Sequence, residues 1–300
     1  MGKDNVTLTV IKRELLRDKI ALVSVVFLLV LAVVLVVSVF TIDEYAIFEI
    51  RVRDRMLRAN LPPSSYFRLG TDGSGQDVLT LLIIATRNSL TITIFATLIS
   101  SVLGVIYGMI SGYTGGAVDN IMNGVVDAIT SIPILISLII LVNFFGGFTP
   151  WNFILTISLL AWTSVAKVVR ARVLQEKNLE YVMASKTLGT TNLTIIFKKL
   201  IPNISTVIIG SLLLNAAAII IMETSLAFFL VNAPPRSNLP VNFVGSGPTL
   251  GTILSLTGYP NILRFRWWQW VPATMMITLI MYSINSIGNA LNRAADTSRR

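Results

Sequence analysis

Five stretches of this chain carry no Asp, Glu, Lys or Arg for far longer than a soluble fold tolerates: Ile20 to Ile42, Asn88 to Val118, Ala128 to Ala166, Leu200 to Met222, and Trp267 to Asn292. About 18 to 20 apolar residues cross the roughly 30 Å hydrocarbon layer as a helix. Inside that layer every backbone N–H and C=O must be paired within the segment, which selects α-helices here. The Ala128–Ala166 run spans 39 residues, too many for one crossing, and breaks at the turn-forming, aromatic Phe-Phe-Gly-Gly-Phe-Thr-Pro-Trp-Asn stretch. Six spans are therefore expected in an all-α membrane protein. The composition agrees, with 54% hydrophobic and 13% charged residues against about 25% charged in soluble domains.

Lys12, Arg13, Arg17 and Lys19 precede the first run. The 23 residues that follow lack a small-x-small cleavage pattern, so this reads as a retained span rather than a signal peptide. With six spans both termini lie on one side. That side carries 15 Lys and Arg and the other nine, which places both termini in the cytoplasm by the positive-inside rule. The net charge of +9 is thus accounted for by topology rather than by nucleic acid. The chain has no cysteine and no histidine, which excludes disulfides, thiol chemistry and the commonest metal ligand. No metal site and no catalytic residue are expected.

The expected organisation is a cytoplasmic tail (1–19), a first span (20–42), an extracytoplasmic segment (43–87), a five-helix core (88–292) and a cytoplasmic tail (293–300). Within the core lie a cytoplasmic loop at 173–203 and an extracytoplasmic loop at 232–266. The 43–87 segment begins charged and helical, and Pro62-Pro63 stop that helix. Its Leu-Gly-Thr-Asp-Gly-Ser-Gly-Gln-Asp stretch is rich in glycine like a phosphate loop, but no Lys-Ser or Lys-Thr follows. Pro133 is expected to kink the third span. Two acids, Asp127 and Glu223, fall in or near spans. A charge at mid-bilayer costs about 2.5 to 3.5 kcal/mol on insertion scales, so each should face protein or water. Pairing between spans fits them better than a proton relay, which lacks histidines and further acids.

Between the fourth and fifth spans the sequence Glu-Tyr-Val-Met-Ala-Ser-Lys-Thr-Leu-Gly carries helix signals of its own. Asn178 is a suitable N-cap, Glu180 opposes the helix dipole in the first turn, and Gly189 is a natural stop. A short helix over about 179–188 is expected, with a stripe of Tyr181, Ala184, Ser185 and Leu188. Thr190 or Thr191 then starts a second helix, in which Leu193, Ile196, Phe197, Leu200 and Ile201 share one face; Pro202 marks entry to the next span. Such short helices are marginal alone in water and must pack on something. Either the chain's own bundle or another protein serves.

The pattern Glu180-Tyr181-Val-x-Ala184-x-Lys186-x-Leu-Gly189, with Pro202-Asn203 after it, resembles the EAA loop of ABC importer permeases in the oligopeptide, dipeptide and nickel systems. Further matches run through most of the chain. Leu69-Gly70-Thr71-Asp72, Gly75 and Asp77-Val78-Leu79 resemble LGTDxxGRDVLSR, and Arg87-Asn88-Ser89-Leu90 resembles ARxSL. Gly112-Tyr113, Gly115-Gly116 and Asp119, then Asp127 and Ser131-Ile132-Pro133, are similar to GYxGGxxD and the following D…SIP. Glu223 to Phe229 is similar to EASLSFLG. Met183 stands where the loop has glutamate, Ser185 where it has its second alanine, Lys199 where an apolar residue is usual, and Gln76 replaces the arginine of GRD. A salt bridge from the usual glutamate cannot form at Met183, which leaves Glu180 to serve.

The resemblance implies the second, C-type permease subunit with a type I ABC importer fold in a bacterial plasma membrane. In such a subunit the loop (Glu180, Tyr181, Met183, Ala184, Ser185, Lys186, Gly189, Pro202) is the coupling helix received by an ATPase. Asp127, Pro133 and Glu223 become structural or gating residues; Gly70, Thr71, Asp72, Gly75 and Asp77 belong to the extracytoplasmic segment. The implied partners are a homologous B-type permease, two ATP-binding cassette subunits that use ATP and Mg, an extracytoplasmic peptide-binding protein and membrane lipid, with no nucleic acid. The chain binds no cofactor and is not itself an enzyme, since it lacks a Walker A sequence. The competing reading is a stand-alone secondary transporter or channel, which calls for charged pairs or broken helices at the midplane. A third is a structural membrane subunit without transport.

Overall fold

A computed structural model describes residues 18–42, 58–146, 149–231 and 247–297. The tail before residue 18, the charged start of the segment expected outside the membrane (43–57), part of the Phe-Phe-Gly-Gly turn (147–148), residues 232–246 of the 232–266 loop and the last three residues lie outside that set.

Helix α1 (Lys19–Thr41) is capped by Asp18, whose Oδ1 accepts from the backbone N–H of Ile20 and Ala21 at 3.0 and 3.2 Å. It is apolar all round and buries only one narrow stripe, Ala21, Ser24, Leu31, Leu35 and Ser38; a helix with this pattern presents its remaining faces to lipid. Helix α2 (Val78–Thr114) starts well before the charge-free run at Asn88. Asp77 caps it through Thr80, accepting from both N–H and Oγ1 at 3.1 and 2.6 Å. A single arginine, Arg87, interrupts the apolar run but not the hydrogen-bond ladder. The helix ends where Gly115 takes φ +68°.

The third span differs most from expectation. Pro133 does not kink one helix; it separates α3 (Gly116–Ser131) from α4 (Ile134–Phe144) at a 90° bend. The ring of Pro133 disfavours helical dihedrals at Ile132, which sits extended at φ −84°, ψ 133°. At about 1.5 Å per residue α4 cannot cross the membrane alone. Among the described residues five helices are long and apolar enough to span, and six if the bent pair is one broken span.

Helix α5 (Pro150–Glu176) has Thr149 as N-cap and Pro150 in its first turn. The short α6 (Glu180–Thr187) follows. Next, α7 (Asn192–Ile195), a π-helical turn (Ile196–Leu200) and α8 (Ile201–Val231) run on without a break. The two elements expected on either side of Pro202 are thus one rod. Its π turn precedes Pro202, which has no N–H for the ladder and would otherwise force a kink. Two short helices, α9 (Leu250–Ser255) and α10 (Pro260–Phe265), lead into α11 (Trp267–Thr297). The start of α1 and the end of α11 meet through Asp18 and Arg293.

Helices α2 and α5 make the largest interface, and small residues allow it. A Cβ on Gly104, Gly108 or Gly112 would lie 2.6 to 2.9 Å from the carbonyl oxygens of Trp162, Ala166 and Arg170. This is the small-xxx-small packing of membrane helices, in which backbones approach until side-chain volume is excluded. Asn215 on α8 ties the pair to a third span: its amide donates to Ser100 Oγ on α2 at 2.9 Å and accepts from Ser164 Oγ on α5 at 3.0 Å.

Candidate functional site

The Glu180–Thr187 helix lies at the end of the bundle where α2 stops and α8 begins. Its N-cap is Leu179, without a side-chain hydrogen bond; Asn178, expected in that role, turns back to Leu174 O. The C-terminus is closed as the sequence suggests. Gly189 takes φ +73°, its N–H donates to Lys186 O at 3.0 Å, and Thr190 N–H donates to Ser185 O at 3.1 Å. These are the two bonds of a Schellman motif, which satisfies carbonyls otherwise left without partners at a helix end.

The inner face is built on Val182, fully buried among Val173, Ile195, Leu200 and Ile204. Deleting its two γ-methyls removes about 1.5 kcal/mol of burial. Beside it the Tyr181 hydroxyl donates to Glu176 Oε2 at 2.9 Å, and Ser185 Oγ donates to Tyr181 O at 2.7 Å. Burial, reinforced by the adjacent Glu176 carboxylate, pushes the Tyr181 phenol up to about 12. The outer face is uncovered. Met183 (52% exposed), Leu188 (84%), Leu193 (69%) and Phe197 (65%) project into solvent, with Ala184 and Glu180 exposed between them.

Two expected groupings come apart. In the first stripe, Tyr181 and Ser185 turn inward while Ala184 and Leu188 turn outward. On the second helix the buried set is Ile195, Leu200 and Ile204, and Leu193 and Phe197 are exposed. The reason is the π turn, which adds a residue to one turn and rotates everything after it relative to a 3.6-residue pattern.

The same end holds polar contacts that the pattern of the sequence did not pair. Arg170 grips Asp119 with two parallel hydrogen bonds of 2.6 and 2.7 Å, and Ser111 Oγ also donates to Asp119. Lys177 Nζ donates to Gly112 O at 2.8 Å, the Tyr113 hydroxyl donates to Asn192 Oδ1 at 2.8 Å, and Lys186 Nζ stands 5.0 Å from the Tyr113 ring centroid. Ser111 and Asp119 are eight residues apart, but Arg170 with Asp119 and Tyr113 with Asn192 pair over 51 and 79 residues, and no local pattern names such partners.

Asp127 is half exposed on α3, paired with Lys167 at 3.0 Å and accepting from Asn123 at 2.9 Å. Pro133 stands at the bend, beside an open cavity of about 240 Å³ lined by Thr130, Ser131, Ile132, Ser137, Leu160 and Thr163 among others. Glu223 is fully buried and accepts from Ser89 Oγ at 3.1 Å; Ser89 in turn accepts from Leu250 N at 3.0 Å. At the opposite end of α2, Thr71 is fully buried. Its N–H donates to Leu61 O at 2.9 Å, its hydroxyl accepts from Leu61 N at 2.8 Å, and its carbonyl accepts from Trp268 and Gln269 at 3.2 and 2.9 Å. Asp72 Oδ1 accepts from Ser74 and Gln76 N–H, closing a turn through Gly75 at φ +77°. Gly70, at φ +72°, presses against Leu61 O and the Trp268 ring. Among the described residues no cluster of three or more acidic side chains offers a metal site.

Spans packed through glycines, a broken third span and a short helix between the fourth and fifth define a polytopic α-helical membrane protein. Residues 100–300 match the family described as binding-protein-dependent transport system inner membrane component, and the chain belongs to that family. It is 34% identical to the oligopeptide transport system permease protein OppC of Lactococcus lactis subsp. cremoris over 286 residues, which covers 95% of this chain and 93% of the relative. It is also 34% identical to the dipeptide transport system permease protein DppC of Bacillus subtilis over 288 residues, covering 96% and 85%. A solved structure of the MetNI methionine ABC transporter in inward-facing form superposes with a TM-score of 0.58 at 19% identity, covering 72% of this chain and 96% of that one. That likeness concerns the fold.

Proposed function

We propose that this chain is a membrane-spanning permease subunit of an ATP-driven importer, that it forms half of a pore for peptides, and that α6 is the element through which cytoplasmic ATPases act on it. The uncovered apolar face of α6 and the start of α7 carries this reading. Met183 and Leu188 are exposed on and just after a helix of eight residues, too short to cross a bilayer, and Leu193 and Phe197 are exposed at the start of the rod that follows it. A contiguous apolar patch at the water-facing end of a bundle marks a protein interface. The small Ala184 at its centre permits close approach by a partner's backbone, and Gly189, Lys186 and Pro202 shape the helix and its exit. Glu180, exposed at the first turn, stands in for the acid that Met183 replaces.

In this reading the chain is not an enzyme. It binds and moves, while two ATP-binding cassette partners bind ATP and Mg and hydrolyse the nucleotide. A B-type permease completes the pore, and an extracytoplasmic binding protein delivers the peptide, oligopeptides being the first expectation from its relatives. Both termini and α6 lie in the cytoplasm of a bacterial cell, with Thr71 and its surroundings outside. Asp127, Pro133 and Glu223 shape the path of the third and fifth spans rather than carry protons, because Asp127 is ion-paired and Glu223 is hydrogen-bonded to Ser89.

The central test is Ala184→Trp. Overpacking a tight contact typically costs about 1 to 3 kcal/mol, so the ATPase subunits should be lost from the purified assembly and peptide uptake with them, at normal membrane levels of this chain. Uptake that persists in this variant, survives ATP depletion and collapses with an ionophore points instead to an ion-driven transporter and ends the ATPase reading. Orientation has its own check. Cysteine at Ser74 should react with an impermeant maleimide added to intact cells and cysteine at Lys198 should not, with no native thiol to blur the result.

A further inference from the structure

Three groups from the segment around α6 converge on the last turn of α2. Lys177, just before α6, donates to Gly112 O at 2.8 Å; Lys186, in its last turn, stands 5.0 Å from the Tyr113 ring centroid; and Asn192, just after it, accepts from the Tyr113 hydroxyl at 2.8 Å. Tyr113 is itself buried, at the penultimate position of α2. The short helix is therefore held before its start, in its last turn and beyond its end by contacts to two consecutive residues of another span. None of the three belongs to the outward apolar face formed by Met183, Leu188 and Phe197, so holding the partner and holding α2 fall to different side chains.

The helix that carries Tyr113 runs unbroken for 37 residues, from Thr114 back to Val78, about 55 Å at 1.5 Å per residue. At its far end Val78 N–H donates to Gly70 O at 3.0 Å, and the neighbouring Thr71 carbonyl is held by Trp268 and Gln269 of α11. A continuous helix with both ends fastened moves as a rod. Displacement of α6 thus reaches the opposite end of the molecule without passing through a loop.

We infer that Tyr113 is a positioning residue for transport: the joint through which motion of the docked α6 is transferred to α2 and so to the far end of the permease. This rests on the docking reading of α6. The hydroxyl bond to Asn192 fixes the distance between α2 and the start of α7, while the ring beneath Lys186 fixes α6 against both. Energetic coupling of this kind is recognised by non-additivity between its members, not by proximity alone.

The test uses the complete assembly in proteoliposomes, with its binding protein loaded from a radiolabelled casein digest. Tyr113→Phe removes the hydroxyl and keeps the ring. ATPase subunits should still copurify and basal ATP hydrolysis should persist, while peptide imported per ATP falls by about fivefold or more, the lower range for coupling between sites. Asn192→Ala should give the same loss, and the double variant should be no worse than either alone. Asn192→Asp, which keeps the accepting oxygen, should restore the ratio. An unchanged ratio in Tyr113→Phe, or losses that multiply in the double variant, overturns the joint. Loss of the ATPase subunits in Tyr113→Phe also overturns it, by making Tyr113 a support for docking. A wild-type assembly that retains no ATPase sinks the docking reading instead, and the joint with it.

Discussion

Gly70 and Gly189 have nearly the same backbone, φ +72° and +73°, at opposite ends of the molecule, yet their surroundings are opposite. A Cβ on Gly70 would lie 2.5 Å from Leu61 O and 2.8 Å from the Trp268 ring, whereas one on Gly189 would meet nothing within 4 Å. The end around Gly70 is filled by the chain's own groups: Thr71 and Gln269 are buried, and the carbonyl of one is held by the amide of the other. The end around Gly189 has a finished inner face and an unfinished outer one, with Leu188 beside it almost fully exposed. The same left-handed φ can therefore serve a closed structural clamp at one end and a surface awaiting a partner at the other. What separates the two is whether space remains beyond the turn.

Alanine at each position makes that contrast measurable. Gly70→Ala adds the strain of a positive φ to a clash with backbone, together about 2 to 4 kcal/mol. Thermal unfolding in detergent should shift down sharply and less chain should accumulate in the membrane. A wild-type melting temperature would show that the 58–77 segment yields and is no clamp. Gly189→Ala carries the strain alone, about 1 kcal/mol. The bundle should melt almost as wild type, and the defect should appear in uptake. A melting shift equal to that of Gly70→Ala would mean that the open end is packed after all.

The smallest effect concerns pH. Tyr181 sits on the inner face of α6 with its phenol raised to about 12 by burial and the Glu176 carboxylate, against about 10 when unfolded. The folded state thus favours the protonated phenol. Its contribution is fully present below about pH 10 and is lost as the pH rises from there through 12. Tyr181→Phe should flatten the fall in stability over that interval and leave the neutral range nearly unchanged. A fall of the same steepness in Tyr181→Phe would assign the alkaline slope to other groups. Because the side chain is partly exposed, solvent screening keeps the effect modest.

Much of the fold was legible because the bilayer imposes a simple rule on sequence: long uncharged runs must be helices that pair their own backbone. The helices that fill the runs at Ile20, Asn88, Leu200 and Trp267 follow from that rule, as does the stop at Gly189, since a positive φ at a helix end calls for glycine. Helix ends were less legible. Arg87 ends an uncharged run without ending a helix, and Pro202 is absorbed by a π turn, because hydrogen bonding rather than charge decides where a helix stops. Pro133 announced a disturbance, but the steric rule at Ile132 does not say whether the chain bends slightly or by 90°; the packing of α4 against α5 and α8 decides that.

Which side of the Glu180–Thr187 helix faces in could not be read from its stripe of small residues. Rotation is set by what Val182 packs on, and those residues come from α5, α7 and α8. The same holds for Arg170 with Asp119 and for Tyr113 with Asn192. By itself the sequence determined that the chain crosses a membrane, roughly where four of its spans fall, that its fifth span is preceded by a short helix ending in a left-handed glycine, and which family it resembles, since these depend on local composition and backbone sterics. Only the tertiary structure decided which polar groups meet across spans and which apolar side chains stay uncovered, because those depend on distances between segments that lie far apart in the chain.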